Sequence, residues 1–155
     1  ERSIGTGFDK SQNAIELARE NLRGKICEKR VCFQLMDWND LTPKTLGDSI
    51  HLVVSNPPYL TEHEWSDSMP EVWEHDPKSA LVAEENGLAD IFKVIEISSI
   101  LLVKEGLFVM EIGKGQAKKI EDQVKLFYSR FEFSKDLHGV RRFLWASKDS
   151  KFPWD

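Results

Sequence analysis

The amino-acid sequence alternates between β-strand patterns and amphipathic helix patterns along its length. Short apolar runs predict strands, and apolar residues spaced three and four apart predict the helices between them. Such alternation is typical of a parallel sheet, because parallel neighbours need a long crossover connection. The last two strand patterns are joined only by a short turn at His138 and Gly139, which favours an antiparallel hairpin. We therefore expect one α/β layer sandwich, mainly parallel with an antiparallel edge.

The patterns also predict where each element begins and ends. The predicted strands cover residues 3–8, 30–36, 50–55, 107–112, 131–137 and 141–147. The predicted helices cover residues 11–24, 88–103 and 116–128, the first with Ser11 as its N-cap. Strand 50–55 is apolar enough to be buried on both faces, and Glu105 with Gly106 should form the turn into the next strand.

Composition limits the class of protein. The chain has 155 residues, 41% of them hydrophobic and 30% charged, which favours a single globular domain. No apolar run approaches the ~20 residues of a membrane span, so we expect a soluble protein with no membrane partner. Cys27 and Cys32 form no CxxC pair and no zinc pattern, so a reducing, intracellular compartment and no metal are expected. The net charge of -5 argues against a strong electrostatic grip on nucleic acid.

Polar residues follow three of the predicted strands at the point where each strand ends. They are Asp9, the pair Asp37 and Trp38, and the run that begins at Asn56. Ligands of an open parallel sheet bind at its carboxyl edge, so three such groups indicate a site better than one does. A carboxylate there suits ribose hydroxyls, and an Asp beside an aromatic ring suits an adenine. Asp9 and Asp37 also have a simpler explanation, because each can start the helix or turn that follows it.

The run Asn56-Pro57-Pro58-Tyr59 is the strongest functional signal in the sequence. Two prolines restrict the backbone, so the Asn56 side chain and the Pro57 carbonyl become fixed acceptors. A planar amino group could donate one hydrogen to each acceptor while Tyr59 packs on its face. That arrangement would turn the nitrogen lone pair toward an electrophile. We therefore favour a functional role over a simple turn that ends a strand.

Asn56-Pro57-Pro58-Tyr59 resembles the motif of class I S-adenosylmethionine-dependent methyltransferases that methylate amino or amide nitrogen. Flanking motifs are similar to those of the HemK/PrmC family, with the same order and spacing from about Phe8 to the end of the chain. These motifs are Phe8-Asp9-Lys10-Ser11, Ala18-Arg19-Glu20-Asn21, Asp37-Trp38, Ser55 to Leu60, Asp76-Pro77-Lys78-Ser79-Ala80-Leu81, Asn86-Gly87-Leu88-Ala89-Asp90, Glu111-Ile112-Gly113 with Gln116, and Lys135-Asp136-Leu137 with Gly139 and Arg142.

The resemblance implies a Rossmann-like class I methyltransferase sheet and the activity of a peptide chain release factor N5-glutamine methyltransferase. Such enzymes move a methyl group from S-adenosyl-L-methionine to the Gln side-chain amide in the Gly-Gly-Gln loop of class 1 release factors. The product is S-adenosyl-L-homocysteine, and no metal takes part. The partner is then a protein rather than nucleic acid, and we expect a monomer. The expected compartment is the mitochondrial matrix in a eukaryote or the cytoplasm in a bacterium.

The resemblance also assigns roles by position. Asp9 would bind the cofactor ribose, and Trp38 with Asp37 would bind the adenine. Asn56 would hold the substrate amide beside the cofactor's methyl group. The remaining motif residues, Pro57, Pro58 and Tyr59, would complete the Gln pocket, with Asn56, Pro57 and Tyr59 as the catalytic set. None of the four scattered histidines is expected to be catalytic, because an amide that becomes methylated loses its proton readily.

The sequence departs from the family pattern ahead of Asp9. Family members carry an N-terminal helical substrate-recognition domain and a first strand that ends in a glycine-rich loop, and neither precedes Asp9 here. Residues 1–155 are therefore expected to form a partial catalytic domain. Gly5-Thr6-Gly7 stands only two residues before Asp9, so it is either the tail of that loop or a variant second strand. Without the first strand, the strands that end at Asp9 and Asn56 would lack a shared ladder partner.

Two other functions stay open from the sequence. The first is an RNA or DNA amino-group methyltransferase that uses the same Asn-Pro-Pro-Tyr pocket, which would need a basic face nearby. Residues 60 to 90 are instead acidic, and the acids are Glu62, Glu64, Asp67, Glu71, Glu74, Asp76, Glu84 and Glu85. The second is a non-catalytic module that binds a partner without cofactor through an exposed apolar edge at Val53 and Val54.

We predict that residues 1–155 alone bind S-adenosyl-L-homocysteine weakly or not at all, because the glycine-rich loop that contacts the methionine part is missing. Isothermal titration of this chain with S-adenosyl-L-homocysteine measures this directly. Micromolar binding would contradict the expectation.

Overall fold

The computed structural model describes residues 3–46 and 49–155, without the side chains of residues 72–74. The chain divides into two compact units, Glu1–Thr42 and Pro43–Asp155. The first unit contains two strands and one helix: β1 (Gly5–Asp9), α1 (Gln12–Leu22) and β2 (Val31–Leu35). Single turns of 3₁₀ helix precede and follow β2, at Glu28–Arg30 and Trp38–Asp40.

Local sequence explains the β1–α1–β2 arrangement of the first unit. Ser11 is the N-cap of α1, and its side chain accepts a hydrogen bond from the Ala14 amide at 3.3 Å, as the sequence predicted. β1 and β2 pair in parallel with Asp9 opposite Leu35, and the Met36 amide donates to the Asp9 carbonyl at 3.0 Å. The carboxyl ends of both strands therefore lie side by side at one edge.

The second unit is built on a four-stranded sheet with the order β3-β4-β6-β5. Its strands are β3 (Ile50–Ser55), β4 (Leu102–Glu111), β5 (Arg130–Lys135) and β6 (Arg141–Ser147). β3 and β4 are parallel, whereas β6 is antiparallel to both of its neighbours, which confirms the C-terminal hairpin. The sequence therefore predicted the class of this sheet correctly.

The second unit also contains helices of very different length. The long ones are α6 (Ala89–Leu101) and α7 (Ala117–Phe127), and the short ones are α2 (Pro43–Leu46), α3 (Glu62–Ser66), α4 (Pro70–His75) and α5 (Glu84–Gly87), with a 3₁₀ turn at Lys78–Ala80. The apolar faces of α6 and α7 pack on the middle of the sheet. The fully buried residues of this core include Ile91, Ile95, Phe108, Met110, Ile112, Ile120 and Leu144. This core fixes the strand ends from which the candidate site projects.

Three expectations differ from the structure. The described strands form two sheets rather than one, because no described strand pairs with both β1 and β3. β3 is an edge strand with Leu52 55% and Val54 69% exposed, so the prediction that it is buried on both faces is wrong. Glu105 and Gly106 do not precede β4 but lie inside it, where the register with β3 shifts between Ile50 and Leu52. At this shift β4 advances by five residues and β3 by two, so the residues that the sequence suggested as a turn are accommodated within the strand.

The turn at α5 has an unusual backbone that brings it against the end of β3. Glu85, Asn86 and Gly87 have positive φ angles of 52°, 57° and 79°. A Cβ atom on Gly87 would lie 2.3 Å from the Tyr59 carbonyl oxygen, so only glycine allows this close approach. The sequence therefore fixes the α5 turn and the Tyr59 backbone in direct contact.

We predict that Gly87→Ala destabilises the protein more than Gly115→Ala does. Both positions have positive φ, which costs an L-residue about 1–2 kcal/mol, but no heavy atom other than chain neighbours lies within 4 Å of the Cβ position at Gly115. The clash at Gly87 should therefore add roughly 1–3 kcal/mol to the loss in free energy of unfolding. Urea denaturation measures both variants, and equal losses would show that the approach to Tyr59 is not tight.

Candidate functional site

The segment Asn56–Tyr59 leaves the carboxyl end of β3 and is fixed by backbone hydrogen bonds. Pro57 and Pro58 are buried, whereas the Asn56 side chain is exposed. The amides of Tyr59 and Leu60 both donate to the Leu81 carbonyl, at 3.1 and 2.9 Å. The two prolines thus sit between the β3 ladder and a second chain segment, which leaves the Asn56–Pro57 end little conformational freedom.

A small recess opens at this segment. Its cavity volume is about 60 Å³, and its lining consists of Asn56, Pro57, Pro58, Tyr59, Leu60, Ala80 and Leu81. That volume lies below the roughly 300–1,000 Å³ of typical small-molecule sites, so it suits one side chain better than a whole ligand. The Asn56 side chain makes no hydrogen bond within the described part of the chain, which leaves its carbonyl oxygen available to a substrate. The structure therefore brings together all four motif residues that the sequence singled out.

The Tyr59 side chain is held by an ion pair that sequence reasoning did not place in the site. Its hydroxyl donates to Glu111 Oε1 at 3.0 Å and accepts from Arg142 Nη2 at 2.8 Å. Arg142 Nη2 also donates to Glu111 Oε1 at 2.7 Å, and its guanidinium carbon lies 5.0 Å from the centre of the Tyr59 ring. Charge-assisted hydrogen bonds and cation–π contact together fix the position and tilt of the ring.

Partial burial and this ion pair set the ionisation of the cluster. Burial is the largest effect on Tyr59 and raises the pKa of its hydroxyl, and it outweighs the opposite effect of Arg142. Burial lowers the pKa of Arg142, but the hydrogen bonds and charges of Tyr59 and Glu111 outweigh it, so the net shift is upward. The phenol therefore stays protonated and the guanidinium charged in neutral solution. Tyr59 acts here as an oriented neutral ring and not as a base.

Glu111 shows which signal would have found this cluster. It is the last residue of β4, so it follows the same rule that selected Asp9, Asp37 and Asn56 at the ends of their strands. Arg142 comes from β6, the neighbour of β4 in the sheet, and although it stands in one of the motifs quoted above, the sequence does not indicate that it meets Tyr59. Only the pairing of β4 with β6 brings its guanidinium to Glu111.

Asp9, Asp37 and Trp38 lie in the first unit, at the adjacent carboxyl ends of β1 and β2. Asp9 Oδ1 accepts from the Ser11 amide at 2.7 Å, and Asp37 Oδ1 accepts from the Asn39 amide at 2.8 Å. Both acids thus have the local structural role that the sequence also allowed. The second carboxylate oxygen of each makes no hydrogen bond within the described residues, so each can still accept from a hydroxyl or an amino group. Trp38 is half-buried.

The structure also bears on metals, histidines and membranes. Among the described residues, no group of three or more His, Cys, Asp or Glu side chains could hold a metal ion. All four histidines are exposed, and His63 pairs with Asp67 at 2.8 Å.

The acidic side chains of residues 60–85 are exposed wherever the structure describes them, and Glu74 lies outside the described side chains. No helix within residues 3–46 and 49–155 is long and apolar enough to cross a membrane.

Comparison with known sequences points to methyltransferases. Residues 2–73 match the family described as RMKL-like, methyltransferase domain. The chain is 34% identical over 143 residues to the release factor glutamine methyltransferase of Bacillus cereus, and the alignment covers 91% of this chain and 50% of that protein. It is 40% identical over 138 residues to the protein of that name in Vibrio cholerae, which covers 88% of this chain and 47% of that protein. The chain thus spans about half the length of the curated relatives it matches.

Solved structures share the fold of this chain. The hMettl16 catalytic domain, in complex with the MAT2A 3′UTR hairpin 1, matches with a TM-score of 0.67 over 97% of this chain and 58% of that chain, at 14% identity. SMU.472 complexed with SAH matches with a TM-score of 0.61 over 93% of this chain and 31% of that chain, at 15% identity. At such identities the likeness concerns the fold alone, and it confirms the predicted methyltransferase fold.

We predict that tyrosinate forms in this protein only well above the ordinary tyrosine pKa of 10.0. The chain has two tyrosines, and burial raises the pKa of both Tyr59 and Tyr128. The unfolded chain loses these protons first, so the free energy of unfolding should fall as the pH rises above about 10. Spectrophotometric titration of Tyr128→Phe isolates Tyr59, and an ordinary midpoint for Tyr59 would contradict the described cluster.

Proposed function

We propose, from the chain's similarity to release factor glutamine methyltransferases, that the protein methylates a glutamine side-chain amide with S-adenosyl-L-methionine as the methyl donor. The proposed substrate is the Gln of the Gly-Gly-Gln motif in class 1 release factors, by analogy with the names of the curated relatives. The observation that carries the proposal is the recess lined by Asn56, Pro57, Pro58 and Tyr59, in which Glu111 and Arg142 hold the hydroxyl of the neutral Tyr59 ring.

An amide nitrogen is a poor nucleophile because its lone pair is conjugated with the carbonyl. The Asn56 side-chain oxygen and the Pro57 carbonyl can accept the two N–H groups of a primary amide, and this fixes the plane in which the nitrogen lies. Orientation of this kind supplies much of the rate in reactions that need no strong base. Tyr59, protonated and held by Glu111 and Arg142, packs on the amide face without competing for its protons.

The predicted proton path needs no histidine. As the nitrogen gains a methyl group, its remaining N–H protons become acidic, and they already point at the Asn56 and Pro57 oxygens. The exposed position of Asn56 gives solvent access to that proton. The absence of a buried histidine from the described residues is compatible with this path, because all four histidines are exposed.

The chemistry of Asp9, Asp37 and Trp38 fits the adenosine part of the methyl donor. Each carboxylate keeps one oxygen that makes no hydrogen bond within the described residues, which suits ribose hydroxyls at Asp9 and the adenine amino group at Asp37. The half-buried Trp38 ring can stack on the base. When bound, S-adenosyl-L-methionine supplies an electrophilic methyl group on a sulfonium.

A nucleic-acid substrate is the alternative for the same pocket. The exposed acids of residues 60–85 disfavour it, because a phosphate backbone would meet negative charge beside the recess. Assays with a release factor, its variant with Gln→Ala in the Gly-Gly-Gln loop, and an unstructured RNA separate the two. Methyl transfer to the first substrate alone supports the proposal, whereas transfer to the RNA contradicts it.

We predict that Asn56→Ala lowers kcat for glutamine methylation by about 10²–10³, since it removes one of the two proposed acceptors. The exposed Asn56 side chain contributes little to packing, so the free energy of unfolding should change by less than about 0.5 kcal/mol. Asn13→Ala, on the exposed face of α1, is the matched control and should leave kcat unchanged. Undiminished transfer by Asn56→Ala would contradict the proposed role.

A further inference from the structure

Gln116 is a buried polar side chain to which neither the sequence analysis nor the proposed function assigns a role. It precedes α7 and is only 5% exposed. Its Nε2 donates to the carbonyls of Tyr59 and Gly87, both at 3.0 Å, and its Oε1 accepts from the Gly113 amide at 2.6 Å. Both hydrogens of the amide group and its oxygen are therefore used by backbone groups from three separate segments.

The partners determine which way the Gln116 amide points. Two of them are carbonyl oxygens, which need a donor, and the third is an N–H group, which needs an acceptor. A reversed amide would place an oxygen against two carbonyls and leave a buried N–H unpaired, which is strongly unfavourable. Only this orientation is compatible with the surrounding backbone.

The backbone around Gln116 leaves room for this contact and for little else. A Cβ atom on Gly113 would lie 2.7 Å from Gln116 Oε1, and one on Gly87 would lie 3.1 Å from Gln116 Nε2. Glu85 and Asn86 adopt positive φ angles just before Gly87, which is a costly conformation for residues other than glycine. Strained backbone of this kind persists only where neighbouring contacts hold it.

The Tyr59 carbonyl closes the rigid segment that carries the two proposed acceptors. On one side, Ser55 pairs with Met110 in the β3–β4 ladder. On the other side, Gln116 fixes the Tyr59 carbonyl, and only Asn56 and two prolines with restricted φ stand between. Loss of the Gln116 contact would therefore loosen the Tyr59 end of a segment that is only three residues away from the β3 ladder, and this segment contains both the Pro57 carbonyl and Asn56.

We infer that Gln116 is a positioning residue, which sets the direction of the Pro57 carbonyl and the Asn56 side chain through the Tyr59 backbone. The expected effect of Gln116 on the rate of methyl transfer rests on the proposed function. Its expected effect on the Tyr59 backbone does not. A displacement of about 1 Å in such a segment can cost about 10²-fold in rate. The substrate class involved is the primary amide already proposed.

The substitution Gln116→Glu tests this role through pH. The introduced carboxyl keeps an acceptor for the Gly113 amide, and when protonated it can still donate to one of the two carbonyls. Once ionised, it faces the Tyr59 and Gly87 carbonyls with a negative oxygen. We expect kcat to fall at least about tenfold as the pH rises through the pKa of that carboxyl, with little change in KM for the cofactor. Gln123→Glu, on α7, is the matched control and should follow the wild-type pH profile.

A second readout does not depend on activity. Hydrogen exchange of the Tyr59 and Leu60 amides, measured by NMR, should become at least about tenfold faster in Gln116→Met and in ionised Gln116→Glu than in the wild type. The inference is overturned if the folded fraction of both variants keeps the wild-type exchange rates at these amides. A wild-type pH profile of kcat in Gln116→Glu would overturn it as well. If the wild type transfers no methyl group to glutamine, the proposed function fails, and the exchange rates alone then decide the role of Gln116.

Discussion

Two consecutive prolines at the end of an edge strand are the constraint on which the candidate site depends. Pro57 and Pro58 are buried and cannot rotate freely, so the atoms on either side of them move together. The second unit anchors both ends of this segment, through the β3–β4 ladder before it and through Leu81 and Gln116 after it. A weakly nucleophilic amide needs such preorganised acceptors more than it needs a strong base.

Other parts of the second unit contact the Tyr59 end of the same segment. Glu111 and Arg142 come from β4 and β6, which are neighbours in the sheet, and they fix the Tyr59 ring from its hydroxyl end. The α5 turn approaches the Tyr59 carbonyl so closely that glycine is required at Gly87. The strands β4 and β6 thus supply the side chains that hold the Tyr59 hydroxyl, and the α5 turn packs against the Tyr59 backbone. The core of α6, α7 and the sheet holds these parts at fixed distances.

The sequence allowed much of this to be predicted, and the exceptions have physical causes. Hydrophobic periodicity identified β3, α6, α7 and the terminal hairpin, because each has a regular apolar pattern. The sequence did not predict that β4 extends through Glu105 and Gly106, because the register shift there depends on pairing with β3 and not on the local hydrophobic pattern. The Asn56–Tyr59 segment was recognisable because proline acts locally. The contact of Arg142 with Tyr59 and Glu111 was not recognisable, since it forms only through strand pairing. The exposure of Leu52 and Val54 likewise depends on which strands pair with β3.

The most direct test of the central claim is a crystal structure of the full-length protein with a bound Gly-Gly-Gln peptide and S-adenosyl-L-homocysteine. The glutamine amide nitrogen should lie about 2.7–3.2 Å from both the Asn56 Oδ1 atom and the Pro57 carbonyl oxygen. Its face should rest on the Tyr59 ring, with the hydroxyl still bonded to Glu111 and Arg142. A glutamine amide bound elsewhere, or held by neither oxygen, would contradict the role assigned to this proline-locked segment.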